Sequence, residues 1–282
     1  IGYRAADADT TGSANVAIGY YAMRSVDEGT GGGDADYNVA IGYDALKGGD
    51  FSSNDRQLAG NIAIGSFALD ATGTNAQSGT IAIGYEALTS LTSGTNNTVV
   101  GYQAADAMTT ANYNTAFGYQ ALSAETVGHT ATAFGDRALG LQNKASDANT
   151  QNVGVGFFAG YNNVTGTANT YIGFESGKGA SGQSHSYNTA VGQNTMKAVT
   201  TGGENTALGT NALEALTDGT TNTALGVRAG LVLETGDGNV FVGKDAGDSA
   251  VGVDNTVIIG HDAAQAGLTS GANGVVAVGY KA

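Results

Sequence analysis

Sixteen glycines, each preceded by an apolar residue, recur along the 282-residue chain at odd intervals, and this one feature limits what the chain can fold into. They are Gly2, Gly19, Gly42, Gly65, Gly84, Gly101, Gly118, Gly135, Gly156, Gly173, Gly192, Gly209, Gly226, Gly243, Gly260 and Gly279. The successive spacings are 17, 23, 23, 19, 17, 17, 17, 21, 17, 19, 17, 17, 17, 17 and 19. The base period is 17, and every insertion adds an even number of residues. Side chains on a strand alternate faces with period two, and a slip of one residue inverts them. Even insertions lengthen a loop without inverting the flanking strands, so the spacing favours β-structure over helix.

Around each glycine the motif reads Asn-(Val/Thr/Ile)-Ala-(Ile/Val/Phe/Leu)-Gly-(Tyr/Phe)-x-Ala-(Leu/Ala/Gly), as at Asn15–Met23, Asn38–Leu46, Asn114–Leu122 and Asn205–Leu213. Large residues alternate with small ones: Val16, Ile18 and Tyr20 form one set, and Ile81, Ile83 and Tyr85 another. This is a strand with a large-residue face and a small-residue face. The expected core of each coil is its two medium apolar residues, often an aromatic and often a Leu. Thr replaces Val at the first strand position in about half the copies (Thr98, Thr115, Thr189, Thr206 and Thr223 among them), which thins that core. The alanine-glycine face is expected to allow close approach of other chains.

The rest of each unit is rich in turn residues, as in Thr92-Ser93-Gly94-Thr95-Asn96-Asn97, because Gly and Asn tolerate positive φ and Ser, Thr and Asp bond nearby backbone. Asparagine stands four places before the glycine in eleven of fifteen copies, where it either stacks into an amide ladder or fits the turn. A competing reading takes Leu213-Glu214-Ala215-Leu216, which has helical spacing, as part of a strand-plus-helix solenoid.

Repeats of this size stack so that neighbours bury what one unit cannot. The expected fold is all-β, a parallel β-solenoid of about sixteen coils forming one continuous repeat domain over residues 1–282, with its longest insertions at 20–65. The chain begins and ends inside repeats and reads as the middle of a longer polypeptide. Thin coils gain from packing against other copies, usually with closed symmetry.

The strings Asn205–Gly209 and Asn222–Gly226 (Asn-Thr-Ala-Leu-Gly), with Asn15–Gly19 and Asn38–Gly42 (Asn-Val-Ala-Ile-Gly), resemble the head repeat of YadA-like trimeric autotransporter adhesins. They are also similar to repeats in phage tail fibres and related virion appendages. The resemblance implies a left-handed parallel β-roll, a homotrimer of chains wound side by side, and attachment outside the cell. This chain departs from the adhesin pattern in its longer period and in the Ala that stands three places after the glycine in fourteen of sixteen copies, with Ser176 an exception.

Composition removes other classes. The absence of proline lets every residue donate to a backbone ladder and argues against collagen. A net charge of −14 with scattered Lys and Arg disfavours nucleic acid and anionic lipid. Zero cysteines exclude disulfides and thiolate chemistry. The longest apolar stretch, Val153 to Tyr161, is nine residues, whereas a spanning helix needs about 20, so no membrane contact is expected of this segment.

No enzyme constellation emerges either. Gly-x-Ser-x-Gly is absent, and Gly173–Lys178 misses the phosphate-loop spacing by one residue. His129, His185 and His261 lie far apart and read as solvated turn residues without a metal partner. Asp34 and Asp36 sit in a flexible oxygen-rich turn that either holds calcium or is a solvated acidic loop. No cofactor is expected. Loops inserted into solenoids often bind, so Asp27, Glu28, Asp34, Asp36, Asp50, Phe51, Asp55 and Arg56 are the candidate recognition residues, for a surface receptor or glycan. The expected function is an extracellular structural and adhesive fibre segment, at a cell surface or on a virion. An ice-binding solenoid and a carbohydrate-processing solenoid are distant alternatives.

Overall fold

The computed structural model describes residues 1–7, 12–26, 35–48, 57–72 and 76–282. It divides into two compact units, Ile1–Arg137 with Asn143–Asn149, and Ala138–Gln142 with Thr150–Ala282. Both are parallel β-solenoids built on the 17-residue repeat. In the first, seven three-residue strands run from Val16–Ile18 to Thr132–Phe134, each paired in parallel with the next. In the second, eight strands from Val153–Val155 to Val276–Val278 pair in the same way. A small second sheet pairs Leu58–Ala59 with Gln77–Ser78. Among the described residues the one helical element is the short 3-10 turn Ser270–Ala272. Leu213–Leu216 forms turns, so the strand-plus-helix alternative does not apply.

Insertions leave the register intact. Val16 pairs with Val39 across 23 residues, Thr170 with Thr189 across 19, and Thr189 with Thr206 across 17. Motif position therefore always meets motif position, as the even insertions require.

Positions are counted below from the motif glycine, so that −2 lies two residues before it and +4 four after. The glycine ends each strand at a φ near +136°, and its neighbours on the stack leave no room for a side chain. A Cβ on Gly209 would lie 2.5 Å from the carbonyl oxygen of Gly226 in the next coil. Residues at +2 and +4 then take left-handed φ, for example Asn211 at 59° and Leu213 at 49°. That conformation costs an L-residue energy, but it turns successive amides toward opposite neighbours. The N–H of Asn211 donates to Gln193 O of the preceding coil, and that of Leu213 to Ala229 O of the following one. Each bend is thus hydrogen-bonded along the stack as well as within itself, where Ala212 N–H donates to Gly209 O.

The core inverts the expected facing. Ala at −2, from Ala40 to Ala133 in the first unit and at Ala190, Ala207 and Ala224 in the second, is buried, together with Ala at +3 and Leu or Met at +4. Val199, Leu216 and Leu233 at +7 complete it in the second unit. The large strand residues point outward: Ile18 is 40 % exposed and Leu208 52 %. The solenoid interior is too narrow for bulk from the strand and from the facing turn together, and the turn supplies the leucine.

Where the strand does supply bulk, the turn gives it up. Tyr171 replaces Ala at −2, and glycines replace Leu at the two flanking +4 positions, Gly160 and Gly177. A Cβ on Gly177 would overlap the Tyr171 ring, and one on Gly160 would approach it to 2.8 Å. Phe241 repeats the exchange with Gly230 and Gly247, where added Cβ atoms would lie 2.8 and 2.5 Å from its ring. Bulk from the strand and bulk from the flanking turns thus exclude each other in one shared space, since overpacking a core is destabilising.

Candidate functional site

The asparagine four places before the glycine is a ladder and a backbone cap at once. Asn205 Oδ1 accepts from the backbone N–H of Asn222 at 2.8 Å and from Asn222 Nδ2 at 3.1 Å. Asn222 Nδ2 also donates to Gly236 O at 2.7 Å. The same pattern joins Asn15 to Asn38 and Asn97 to Asn114. At Thr256 a hydroxyl takes over, donating to Asn239 Oδ1 at 2.7 Å. All of these asparagines but the half-buried Asn15 are buried, and their amides bond along the stack, which is what burial of a polar group demands.

Of the eight candidate recognition residues, Asp27, Glu28, Asp34, Asp50, Phe51, Asp55 and Arg56 lie outside the described residues. Asp36 is described. Its Oδ1 accepts from the backbone N–H and hydroxyl of Ser13 at 2.6 and 2.7 Å, so it ties one turn to the preceding coil.

His185 and His129 differ from the expected solvated setting, whereas His261 is exposed. His185 is buried. Its Nδ1 lies 2.6 Å from the Tyr171 hydroxyl, which donates to Asn169 Oδ1, its Nε2 has no protein partner, and burial pushes its pKa down to about 4. The adjoining coils place Gly166 and Gly202 in its column. His129 bonds Asn112 and Asp147. His261 stacks on Tyr280, and with Asp245 and Asp262 it offers three possible ligand atoms within 4.8 Å of one another. That carboxylate of Asp245 already holds Arg228 at 2.5 Å and Lys244 at 2.9 Å, and the two cations lower its pKa. Glu175 is held likewise by Lys178 and Lys197, both at 2.7 Å, which depresses its pKa. Beside that pair a groove of about 610 Å³ runs over Ala198, Ala215, Leu231 and Val232. Glu125 is buried with Oε1 accepting from the N–H groups of Thr126, Val127 and Gly128, a backbone nest around its carboxylate.

The broadest surface feature is the outward strand face. In the first unit its seven aromatic residues from Tyr20 to Phe134 are 40 to 52 % exposed. Aromatic side chains carry ~150–250 Å² each, so these seven leave on the order of 600 Å² of apolar surface uncovered. Val16, Ile18 and the half-buried Ile41, Ile64 and Ile83 extend it. Soluble monomers rarely leave a contiguous apolar patch of more than a few hundred Å². The second unit continues the pattern with Ile172, Leu208, Leu225 and Ile259. The alternation of large and small residues was readable in the sequence, but the exposure of the large face was not. No helix among the described residues is long and apolar enough to cross a membrane.

Comparison with protein-family models, with curated proteins and with solved structures finds no match to this chain.

Proposed function

We propose that the chain is a segment of an extracellular fibre, borne by a cell surface or a virion, in which three copies pack side by side and present binding loops, and that it is not an enzyme. The observation that carries this is the exposed apolar strand face. Its area in the first unit alone approaches the ~800 Å² per partner of a standard interface. A repeat surface complementary to its own copy leads to closed cyclic assembly. The resemblance of the Asn-x-Ala-x-Gly strings to adhesin heads favours three chains over two. The non-enzymatic reading is supported by the carboxylates described above: Glu175, Asp245 and Glu125 are all held in place by structural partners.

Sedimentation equilibrium tests the assembly. A mass three times the 28.0 kDa of the chain is expected. Leu208→Lys with Leu225→Lys is expected to lower it while leaving the β-sheet circular dichroism unchanged. A stable monomer of the unaltered chain overturns the trimer. For adhesion, binding of particles coated with the segment to glycan or cell surfaces is expected to fall when residues 47–58 are deleted. Unchanged attachment by a folded deletion variant refutes recognition at that loop.

A further inference from the structure

The same parallel register that stacks asparagines also stacks tyrosines at +1. Tyr3 lies on Tyr20 with ring centroids 5.2 Å apart, and Tyr20 on Tyr43 at 5.5 Å with planes only 3° apart. Phe67 then interrupts edge-on, 5.2 Å from Tyr43 and 6.1 Å from Tyr85. Beyond it Tyr85, Tyr102 and Tyr119 stack at 5.2 and 5.5 Å with planes 16° and 11° apart. The tyrosines from Tyr20 to Tyr119 in this column are half exposed.

Phenols are the most easily oxidised side chains on the chain's surface. It contains no Cys and no Trp. Its three methionines, Met23, Met108 and Met196, are fully buried. Oxidation of side chains follows exposure as well as intrinsic reactivity. A one-electron oxidant arriving at this protein therefore meets phenols first, and meets them in adjacent pairs.

We propose that the two tyrosine stacks, Tyr3–Tyr20–Tyr43 and Tyr85–Tyr102–Tyr119, are sites of oxidative cross-linking, in which dityrosine bonds join consecutive coils of one chain. The oxidant class is a haem peroxidase with hydrogen peroxide. Each of two neighbouring phenols gives up one electron and one proton, and the peroxide is reduced to two waters by the two electrons and two protons. The two phenoxyl radicals pair at ring carbons ortho to oxygen, forming one C–C bond. The proton on each coupled carbon then passes to its oxygen and restores the phenols. The product has lost two hydrogen atoms. Holding the rings at this separation makes the pairing step intramolecular, where effective concentrations far exceed those of free partners. A link between coils adds a covalent tie parallel to the backbone hydrogen bonds. The stacks lie on the strand face assigned above to lateral packing, so the oxidant reaches them on chains not yet associated.

Three other tyrosines provide an internal control. Tyr37, Tyr113 and Tyr187 are 61 to 68 % exposed, more so than Tyr20, Tyr43, Tyr85, Tyr102 and Tyr119, yet none has a ring neighbour among the described residues. Exposure alone predicts coupling at these three, whereas geometry predicts it in the stacks. The experiment treats the full chain, diluted until sedimentation shows single chains, with peroxidase and peroxide and maps linked peptides by mass. A mixture of unlabelled and nitrogen-15 chains separates links within a chain from links between chains. Tyr85–Tyr102 and Tyr102–Tyr119 links within single chains are expected, at least roughly tenfold over any pair containing Tyr37, Tyr113 or Tyr187. Tyr102→Phe keeps the stacking ring and is expected to reduce both links to background, with the circular dichroism unchanged. Links concentrated at the three isolated tyrosines, links mainly between chains, or a yield no higher than from the urea-unfolded chain each overturn the proposal.

Discussion

The exchange of bulk between the strand and the facing turn can be tested as an energetic coupling. Phe241 is fully buried between Gly230 and Gly247. Phe241→Ala removes a core ring where neither flanking turn has a side chain to collapse into the space. Such truncations cost about 3–5 kcal/mol, and the absence of neighbouring bulk puts this one toward the upper end. Replacing Gly230 and Gly247 by Leu with Phe241 still present forces Cβ atoms to within 2.8 and 2.5 Å of the ring, so this pair is overpacked and costs at least about 1–3 kcal/mol. Combined, the three changes recreate the arrangement of Ala207 with Leu213, and Leu is already at home in that backbone: Leu213 has φ 49°, against 61° and 59° at Gly230 and Gly247. The combined variant is therefore expected to be more stable than either parent variant, with a favourable coupling of about 3 kcal/mol or more across the cycle. Urea unfolding followed by circular dichroism gives the four stabilities. If the combined loss equals the sum of the separate losses, the two columns do not share volume and the packing argument fails.

Three further outcomes follow from single positions. His185 has a folded pKa near 4 against 6.5 for the free side chain, so the unfolded chain binds its proton first; stability is full above about pH 6.5 and falls by roughly 3 kcal/mol as the pH drops to about 4. His185→Gln is expected to flatten that part of the curve, and an unchanged slope between pH 6.5 and 4 contradicts the assignment. Asn205→Ala strips the buried N–H of Asn222 and the carbonyl of Gly219 of a partner, for a loss of about 2–4 kcal/mol in thermal or urea unfolding; a loss under about 0.5 kcal/mol shows that the ladder is dispensable. Gly209→Ala meets the Gly226 carbonyl at 2.5 Å and a φ of +135°, so a loss above about 3 kcal/mol is expected, while Thr210→Ala one residue on stays within about 0.5; equal effects refute the close-approach argument.

The stack was legible in the sequence and the inside of each coil was not. Spacing alone gives strand order and register, because a solenoid maps a period directly onto a pairing. The motif glycine and asparagine could be identified from repetition, and their contacts explain it. Facing could not be read the same way. Alternation separates Val16, Ile18 and Tyr20 from Ala17, but it is symmetric between in and out. The usual rule that large apolar residues go inside decides wrongly here, because the turn already fills the interior with Leu46, Leu88 or Leu213. One signal pointed the other way: Tyr171 and Phe241 appear at the alanine position only where Gly177 and Gly247 stand at the leucine position. That pairing places the small strand face and the turn leucine in one shared space. His185 falls under the same logic, since Gly166 and Gly202 hold its column in the adjoining coils.

The inverted facing also separates two kinds of cohesion that most small domains combine. Along the stack, a coil is held by backbone hydrogen bonds, the asparagine ladder and a core of Ala and Leu. Sideways, it offers residues at −3, −1 and +1 that contribute little to that core. Burial of apolar surface is worth roughly 25 cal/mol per Å², so covering the strand face supplies a driving force for association that is separate from the Ala and Leu burial that folds each coil. The two sets of residues do not overlap. Substitutions at Leu208 or Leu225 should therefore change mass in solution and leave the dissociated chain's unfolding midpoint in place. Substitutions at Phe241 or Gly247 should shift that midpoint and leave the mass in place wherever the chain still folds. If Leu208→Lys unfolds the dissociated coil as severely as Phe241→Ala, the strand face belongs to the core after all, and the argument for lateral assembly loses its basis.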